Sequence, residues 1–371
     1  MKALITAGGR GTRLRPLTHS NNKHLLPIAN KPMILYPIEH LRDAGITDIG
    51  IIVNETRSEI EGLLGDGSKY GVKITYIFQD KPLGLGHCLK ISEGFLRDAD
   101  RFVMYLGDNI LAKGIKEFVD DFKNSSNNAC MTLVDIKDRE RLKSLGVAEI
   151  KDGRIVATEE KPQDPKPNHL AASGIYFFDG NVFKAFNGDG AIKPSARGEL
   201  EITSGVFRYL IEHDYKVGYY NITGWWKDTG KMDDLIDANR LVLDKFDGFK
   251  NEGTISSTSE VEGDLLLGKG SVVEKSQILG PVVIGENVVI KNSRIGAYTA
   301  IGNNCVIEDS EIENSILMEG AGLTNLKNVT GSLIGFNAKI NKFVSKEIKK
   351  NGGGPDVSRI IVGDDSVISL A

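Results

Sequence analysis

Beyond residue 250 the chain repeats, and the repeat leaves few folds open. Val261, Leu267, Val273, Ile278, Ile284, Ile290, Ile295, Ile301, Ile307 and Ile312 follow one another at steps of six, six and five, so each set of three advances 17 residues. Sandwich strands do not hold so constant a period, whereas a hexapeptide repeat with three aliphatic corners per turn specifies a β-helix in which each rung buries its corners against the next. Glycine follows the aliphatic residue at 268, 285, 296 and 302, where a chain turning a corner is expected to use a residue that tolerates unusual dihedrals. After Ile312 the register is expected to loosen, to resume around Val329, Ile334 and Ile340, and to return at Val362 and Ile368. Residues 337–359, which include Gly352-Gly353-Gly354-Pro355, read as an irregular insertion.

The preceding part has another texture. From residue 2 to about 245, short β-branched runs alternate with amphipathic stretches, the pattern of an α/β domain with a mostly parallel, Rossmann-like sheet. Residues 3–6, 48–53, 73–78 and 102–106 are the clearest strands, and 34–44, closed by Gly45, and 117–123 read as helical. This predicts two domains, 1–247 and 248–371. Right-handed crossovers would bring the loops after Thr6, Phe78 and Leu106 to one carboxyl edge, where open α/β sheets bind ligands.

A ligand class is suggested by charge. The chain has 46 basic and 50 acidic residues, yet its first 38 residues hold Lys2, Arg10, Arg13, Arg15, Lys23 and Lys31 and no carboxylate. A local excess of this kind suits a small polyanion and not a nucleic acid, which favours a broad basic face. Three widely spaced cysteines, Cys88, Cys130 and Cys305, form neither a disulfide framework nor a zinc pattern and are expected as buried thiols in a reducing compartment. The apolar run at residues 3–7 is short for a signal segment, and no stretch approaches the roughly 20 apolar residues of a membrane span, so a cytoplasmic location without membrane contact is expected.

The basic residues surround Gly8-Gly9-Arg10-Gly11-Thr12-Arg13, a turn after a strand whose backbone N–H groups can face phosphate oxygens. It matches neither G-x-x-x-x-G-K-[ST] nor G-x-G-x-x-G, which argues against a P-loop ATPase and a dinucleotide dehydrogenase. Arg13 and Lys23 would supply the fixed cationic donors that a triphosphate requires. Asp108 and Asp228 each follow a strand-like run and are placed to hold Mg²⁺, which favours one or two carboxylates plus substrate phosphates; a helix cap or turn role is the plainer reading of either alone.

Seven motifs, in order, then carry a family resemblance: residues 3–37 with Lys23-His24-Leu25-Leu26-Pro27 and Lys31-Pro32-Met33, Gln79-Asp80-Lys81-Pro82-Leu83-Gly84-Leu85-Gly86, Leu106-Gly107-Asp108-Asn109, Glu159-Glu160-Lys161-Pro162, Ser173-Gly174-Ile175-Tyr176, Arg197-Gly198-Glu199-Leu200-Glu201-Ile202-Thr203 and Trp226-Lys227-Asp228-Thr229-Gly230. The pattern resembles sugar-1-phosphate nucleotidylyltransferases, the long thymidylyltransferases with a C-terminal left-handed β-helix in particular. The resemblance implies attack by the phosphate of glucose 1-phosphate on the α-phosphorus of dTTP or UTP, which is catalysis by positioning and electrostatics. It implies Arg13 and Lys23 on the triphosphate, Lys161 on the sugar phosphate, and Asp108 and Asp228 on Mg²⁺. Thr6, Gly8, Gly9, Gly11, Thr12, Gln79, Pro82 and Gly84 would form the nucleotide pocket, with the Gln79 amide reading the base. Gly146, Glu160, Gly174 and Trp226 would form the sugar pocket, although Trp226 also reads as a core residue. Leu145 and His87 depart from the short members of the family, which usually have Tyr and often have Gln there.

Two rivals follow from the repeat. An acyltransferase in the solenoid is the first, but such sites are typically built around a His base, and His19, His24, His40, His87, His169 and His213 all precede residue 251. A non-catalytic scaffold is the second, and it predicts loss of the charged residues that are present here. Other activities of the same class, of UDP-N-acetylglucosamine or GDP-mannose type, remain open at this level. The flat faces and strand edges of a β-helix lead to the expectation of a homo-oligomer.

Overall fold

Four β-branched runs become the parallel half of a nine-stranded sheet: β1 (Lys2–Thr6), β2 (Asp48–Val53), β3 (Lys73–Phe78) and β4 (Arg101–Leu106), in the order β4-β1-β2-β3. The computed structural model describes residues 1–188, 190–342 and 358–370. In β2 every residue after Asp48 is buried, as a strand covered on both faces must be. Leu35–Asp43 forms the helix before β2, and Gly45, at φ 77°, ends it as the sequence predicts. A second helix, Lys116–Asn124, covers the other expected helical stretch.

Strand ends coincide. Thr6 lies opposite Ile52 on one side and Leu106 on the other, and Val53 lies opposite Phe78. The residues after these strands therefore emerge at one carboxyl edge.

The other half of the sheet is antiparallel, which simple alternation does not announce. After β5 (Asn109–Leu111) and β6 (Ala129–Val134) come β7 (Gly146–Lys151), β8 (Arg154–Glu160) and the long central β9 (His169–Asp179). Strand β9 runs antiparallel to β4, β6 and β7, and its pairing with β6 slips between Ala172 and Tyr176. The ninth strand of the sheet is β10 (Val217–Asn221), parallel to β6, whereas β11 (Trp226–Asp228) pairs antiparallel with β5 in a separate two-stranded sheet. Phe102, Phe178 and Phe183 pack at centroid distances of 5.7 and 5.8 Å within the core beneath β4 and β9.

This α/β unit contains Met1–Gly9 and Ile34–Asp228. A second compact unit contains the rest, including Arg10–Met33, which cluster with the C-terminal part and not with the strands that flank them.

From Phe249 onward the second unit is a β-helix. Its strands form two seven-stranded sheets and one five-stranded sheet, parallel throughout. Val261 pairs with Ile278, Leu267 with Ile284, Val273 with Ile290 and Ile278 with Ile295, the expected advance of 17 residues. From Leu265 to Val362 these corners share one apolar core.

Three details differ from the sequence reading. The register does not loosen after Ile312: Leu317 pairs with Ile301 and Leu323 with Ile307, because the step from Ile312 to Leu317 is five residues where a six is expected. Lys339–Lys342 remains a regular strand, paired with Val367–Leu370, although it falls in the stretch read as irregular; residues 343–357 of that stretch lie outside the described residues. The corner glycines also have another cause. Left-handed dihedrals fall on Lys275, Asn287, Asn292, Tyr298 and Asn304, whereas Gly268 and Gly302 are needed for close approach: a Cβ on Gly268 would lie 2.4 Å from Gly285 O, and one on Gly302 would lie 2.6 Å from Glu319 N.

Candidate active site

At the carboxyl edge of the parallel strands the backbone is tied across three loops. Ala7 N donates to Ile52 O at 2.9 Å, Gln79 N to Val53 O at 2.8 Å, and Gly107 N to Thr6 O at 3.0 Å. Asn54, buried at the end of β2, donates from Nδ2 to Gly8 O at 2.9 Å. The turns at Thr6, Gln79 and Asp108 are thus held together by main-chain hydrogen bonds, and Gly8 is held by the Asn54 side chain. Gly9 closes this part of the α/β unit.

Gln79 is buried and its amide is fixed. Nε2 donates to His87 Nδ1 at 3.0 Å and to Cys88 Sγ at 3.2 Å, and Oε1 lies 3.4 Å from where a Cβ on Gly8 would be. The amide nitrogen is a donor, so His87 accepts at Nδ1 and must be neutral there. Burial lowers the His87 pKa, against the raising effect of Asp80 and with a small further lowering by Lys90. Burial also pushes the Cys88 thiol up to about 12, so it is an inert neighbour and not a nucleophile.

Asp108 and Asp228 come together through one residue. Asp108 is in the turn between β4 and β5, and Asp228 pairs with its neighbour Asn109 in the β5–β11 ladder. Asn109 Nδ2 donates to Asp108 Oδ1 at 3.0 Å. Among the described residues no cluster of three or more His, Cys, Asp or Glu is found, and Asp108 and Asp228 as a pair would offer two carboxylates to an ion whose other positions go to phosphate and water. That is the donor chemistry magnesium favours.

Two of the candidate sugar-side residues, Gly146 and Lys161, meet at Glu160. Its Oε2 accepts from Thr203 Oγ1 at 2.6 Å, and its Oε1 lies 3.4 Å from Arg197 and 3.6 Å from Lys161. Arg197 is held in turn by Glu201 at 2.7 Å, which raises its pKa further. Gly146 has no room for a side chain, since a Cβ would lie 2.6 Å from Thr203 Cγ2 and 3.0 Å from Glu160 Oε2. Lys161 itself sits at φ 52°, and its N–H donates to Leu145 O at 2.9 Å.

Gly174 occupies the slip in β9, at φ 85°, with Asn109 Nδ2 2.9 Å from its Cβ position. The slip leaves Ser173 O without a ladder role, and Trp226 Nε1 donates to it at 2.9 Å and to Asn109 Oδ1 at 2.7 Å. Trp226 is therefore buried with its polar atom spent inside the protein, and any contact with a sugar would come from the ring. Gly84, at φ 93°, approaches Leu200 O to within 2.6 Å of its Cβ position, beside Pro82 and Leu83.

Gly11, Thr12, Arg13 and Lys23 belong to the second unit. There Thr12–Leu14 and Lys23–Leu25 form short 3₁₀ turns, and Lys23 Cβ lies 3.0 Å from the Cβ position of Gly11.

A nucleotidyl transferase family model matches residues 2–245. The chain belongs to the nucleotidyl transferase family. A glucose-1-phosphate thymidylyltransferase of Streptomyces griseus is 41% identical over 367 residues, covering 99% of this chain and 98% of the relative. The Haloferax volcanii low-salt glycan biosynthesis nucleotidyltransferase Agl11 is 44% identical over 265 residues, 71% of each chain. A solved structure from Bacillus anthracis, provisionally assigned as a glucose-1-phosphate thymidylyltransferase and in complex with a sucrose, superposes with a TM-score of 0.60 at 39% identity, covering 68% of this chain and 98% of that one.

In this nucleotidyltransferase the residues that sequence reasoning left without a role are the supporting ones. Asn54 had a signal, a polar residue directly after a buried strand like that of Asp108. Arg197, Glu201 and Thr203 stood within a quoted motif, but only the fold shows that they hold Glu160. The three cysteines are free and buried, as expected. No helix among the described residues is long and apolar enough to cross a membrane.

Proposed function

We propose that this nucleotidyltransferase joins the thymidylyl group of dTTP to glucose 1-phosphate, forming dTDP-glucose and pyrophosphate. A phosphate oxygen of glucose 1-phosphate forms a bond to the α-phosphorus, the bond from that phosphorus to the bridging oxygen breaks, and pyrophosphate leaves with the electron pair. The reading is carried by the carboxyl edge of the sheet, where a fixed glutamine amide, a glycine turn and two carboxylates are joined by main-chain and side-chain hydrogen bonds. Similarity to a thymidylyltransferase along the whole length supports it.

In this reading Gln79, Pro82 and Gly84 form the base pocket and Thr6, Gly8, Gly9, Gly11 and Thr12 line the phosphates. Arg13 and Lys23 neutralise the triphosphate, Arg13 toward the leaving pyrophosphate, and Lys161 holds the incoming sugar phosphate. Gly146, Glu160, Gly174 and Trp226 form the sugar pocket, with Glu160 accepting from sugar hydroxyls. Asp108 and Asp228 would hold Mg²⁺, which supplies charge neutralisation between two anions when bound.

The boundary at 247/248 separates a catalytic domain from a β-helix domain, the assembly is a homo-oligomer through the solenoid, and the three buried thiols suit a reducing cytoplasm.

The experiment is pyrophosphate release from purified protein with Mg²⁺, glucose 1-phosphate and each nucleoside triphosphate in turn. Release with dTTP above all others supports the proposal. Preference for UTP would assign the same chemistry to a nucleotide that lacks the base methyl, worth about 1–3 kcal/mol, and carries a 2′-hydroxyl. Release only with GTP and mannose 1-phosphate would overturn the glucose reading.

A further inference from the structure

The segment that carries Arg13 and Lys23 is moored to the β-helix at two places. At its far end, Asn30 Nδ2 donates to Ile301 O at 2.6 Å, and Ala29 N donates to the buried Asn239, which itself donates to Tyr298 O at 2.9 Å. Ala29 also joins the apolar cluster of Leu243, Val283 and Ala300. At its near end the contact is with the last rung. Asp364 Oδ2 accepts from both Ser20 Oγ and Asn21 Nδ2, and a Cβ on neighbouring Gly363 would lie 3.0 Å from Pro16 O.

Asp364 is fixed before it meets the segment, because its Oδ1 accepts from Phe336 N at 2.9 Å in the adjoining rung. A carboxylate can serve three donors at once, and hydrogen bonds to a charged acceptor are about twice as strong as neutral ones. The grip reaches the two cations through short links. Thr18 Oγ1 donates to Gly11 O at 2.7 Å, Gly11 packs on Lys23, and Asn22 caps the turn that begins at Lys23 by accepting from His24 N.

We propose that Asp364, on the last rung of the β-helix, is a positioning residue for the triphosphate-binding loop, so that the solenoid contributes to nucleotide binding as well as to assembly. Asp364 touches no substrate; it acts through Ser20 and Asn21. This rests on the reading of Arg13 and Lys23 as triphosphate contacts.

The test uses the full-length protein, its D364A and S20A/N21A variants, and the triple variant. Hydrogen–deuterium exchange of peptides spanning residues 14–26 reports the mooring without reference to activity. Exchange should quicken about tenfold or more in both variants, and the KM for dTTP should rise roughly tenfold while the KM for glucose 1-phosphate stays within about twofold. The triple variant should be no worse than D364A, since the contact with Ser20 and Asn21 is then removed twice. Should D364A fail to fold, S20A/N21A carries the test, because its changes lie outside the solenoid. Unchanged exchange in S20A/N21A, or an equal rise in both KM values, overturns the proposal. Faster exchange in a protein whose wild type releases no pyrophosphate sinks the functional reading instead and leaves the mooring supported.

Discussion

Thr203 Oγ1 donates to Glu160 Oε2 at 2.6 Å across 43 residues of sequence. The bond occupies one carboxylate oxygen and leaves Oε1 to Lys161 and Arg197, so Glu160 is aimed by its neighbours. Replacing Thr203 with Val keeps the shape and removes the donor. The KM for glucose 1-phosphate should then rise about fivefold, the worth of roughly 1 kcal/mol, while the KM for dTTP is unchanged. Gly146→Ala should cost more, because its Cβ would press on both Thr203 and Glu160. Steady-state kinetics with each substrate varied would show it, and equal changes in both KM values would speak against a sugar-side role.

A pH dependence follows from His87. Its Nδ1 must be unprotonated to accept from Gln79, and its folded-state pKa is lowered, with burial as the main cause. A lowered value means that the neutral form is favoured by folding. The contribution is therefore fully present above the ordinary value of about 6.5 and is lost as pH falls through the lower, folded value. Below that point two N–H groups face each other and the Gln79 amide loses its anchor. The KM for dTTP of the wild type, divided by that of H87Q, should climb as pH drops; the ratio cancels the titration of the nucleotide itself. A flat ratio from pH 8 to about pH 5 would show that His87 does not set the amide.

What the sequence shows well here is whatever burial encodes as a period. The aliphatic corners from Val261 to Ile312 give the 17-residue register because each must point inward, and the strands before Gly8, Gln79 and Asp108 are visible for the same reason. What it conceals depends on single contacts between distant residues. Nothing in the period marks Gly268 as a place where two rungs nearly touch, and nothing in Ser20, Asn21 or Asp364 indicates that they meet. The antiparallel pairing after residue 146 is concealed because β9 is buried along nearly its whole length and slips at Gly174, so it offers no alternation from which to read its partners.

The solenoid corners set stability. Ile301 is fully buried between Ile284 and Leu317, so Ile301→Ala leaves a cavity that the stacked rungs cannot close and should cost about 2–5 kcal/mol. Gly285→Ala should also destabilise, because its Cβ would lie 2.7 Å from Asn303 N, a backbone atom that cannot rotate away. Denaturant unfolding monitored by circular dichroism checks both. A midpoint unchanged in either variant would contradict the close-packed rung.

Asp108 and Asp228 give the sharpest chemical prediction. They are neighbours through the Asn109–Asp228 pair, and no cluster of three or more His, Cys, Asp or Glu is found among the described residues, so the proposed magnesium site would be a half-shell and not a closed cage. Such a site holds its ion weakly until phosphates complete it. Chelation with EDTA should stop pyrophosphate release, and added Mg²⁺ should restore it in full. D108N preserves an acceptor for Asn109 Nδ2 and D228N preserves the strand pairing, so both variants should fold normally. Each should nevertheless lose roughly a thousandfold in turnover, since several kcal/mol of charge stabilisation are removed with the carboxylate. Raising Mg²⁺ should recover part of the loss in either single variant, whose remaining carboxylate still offers a ligand, and none in the double variant. Full activity in D108N/D228N would mean that the two aspartates shape the turn and leave the metal to other groups.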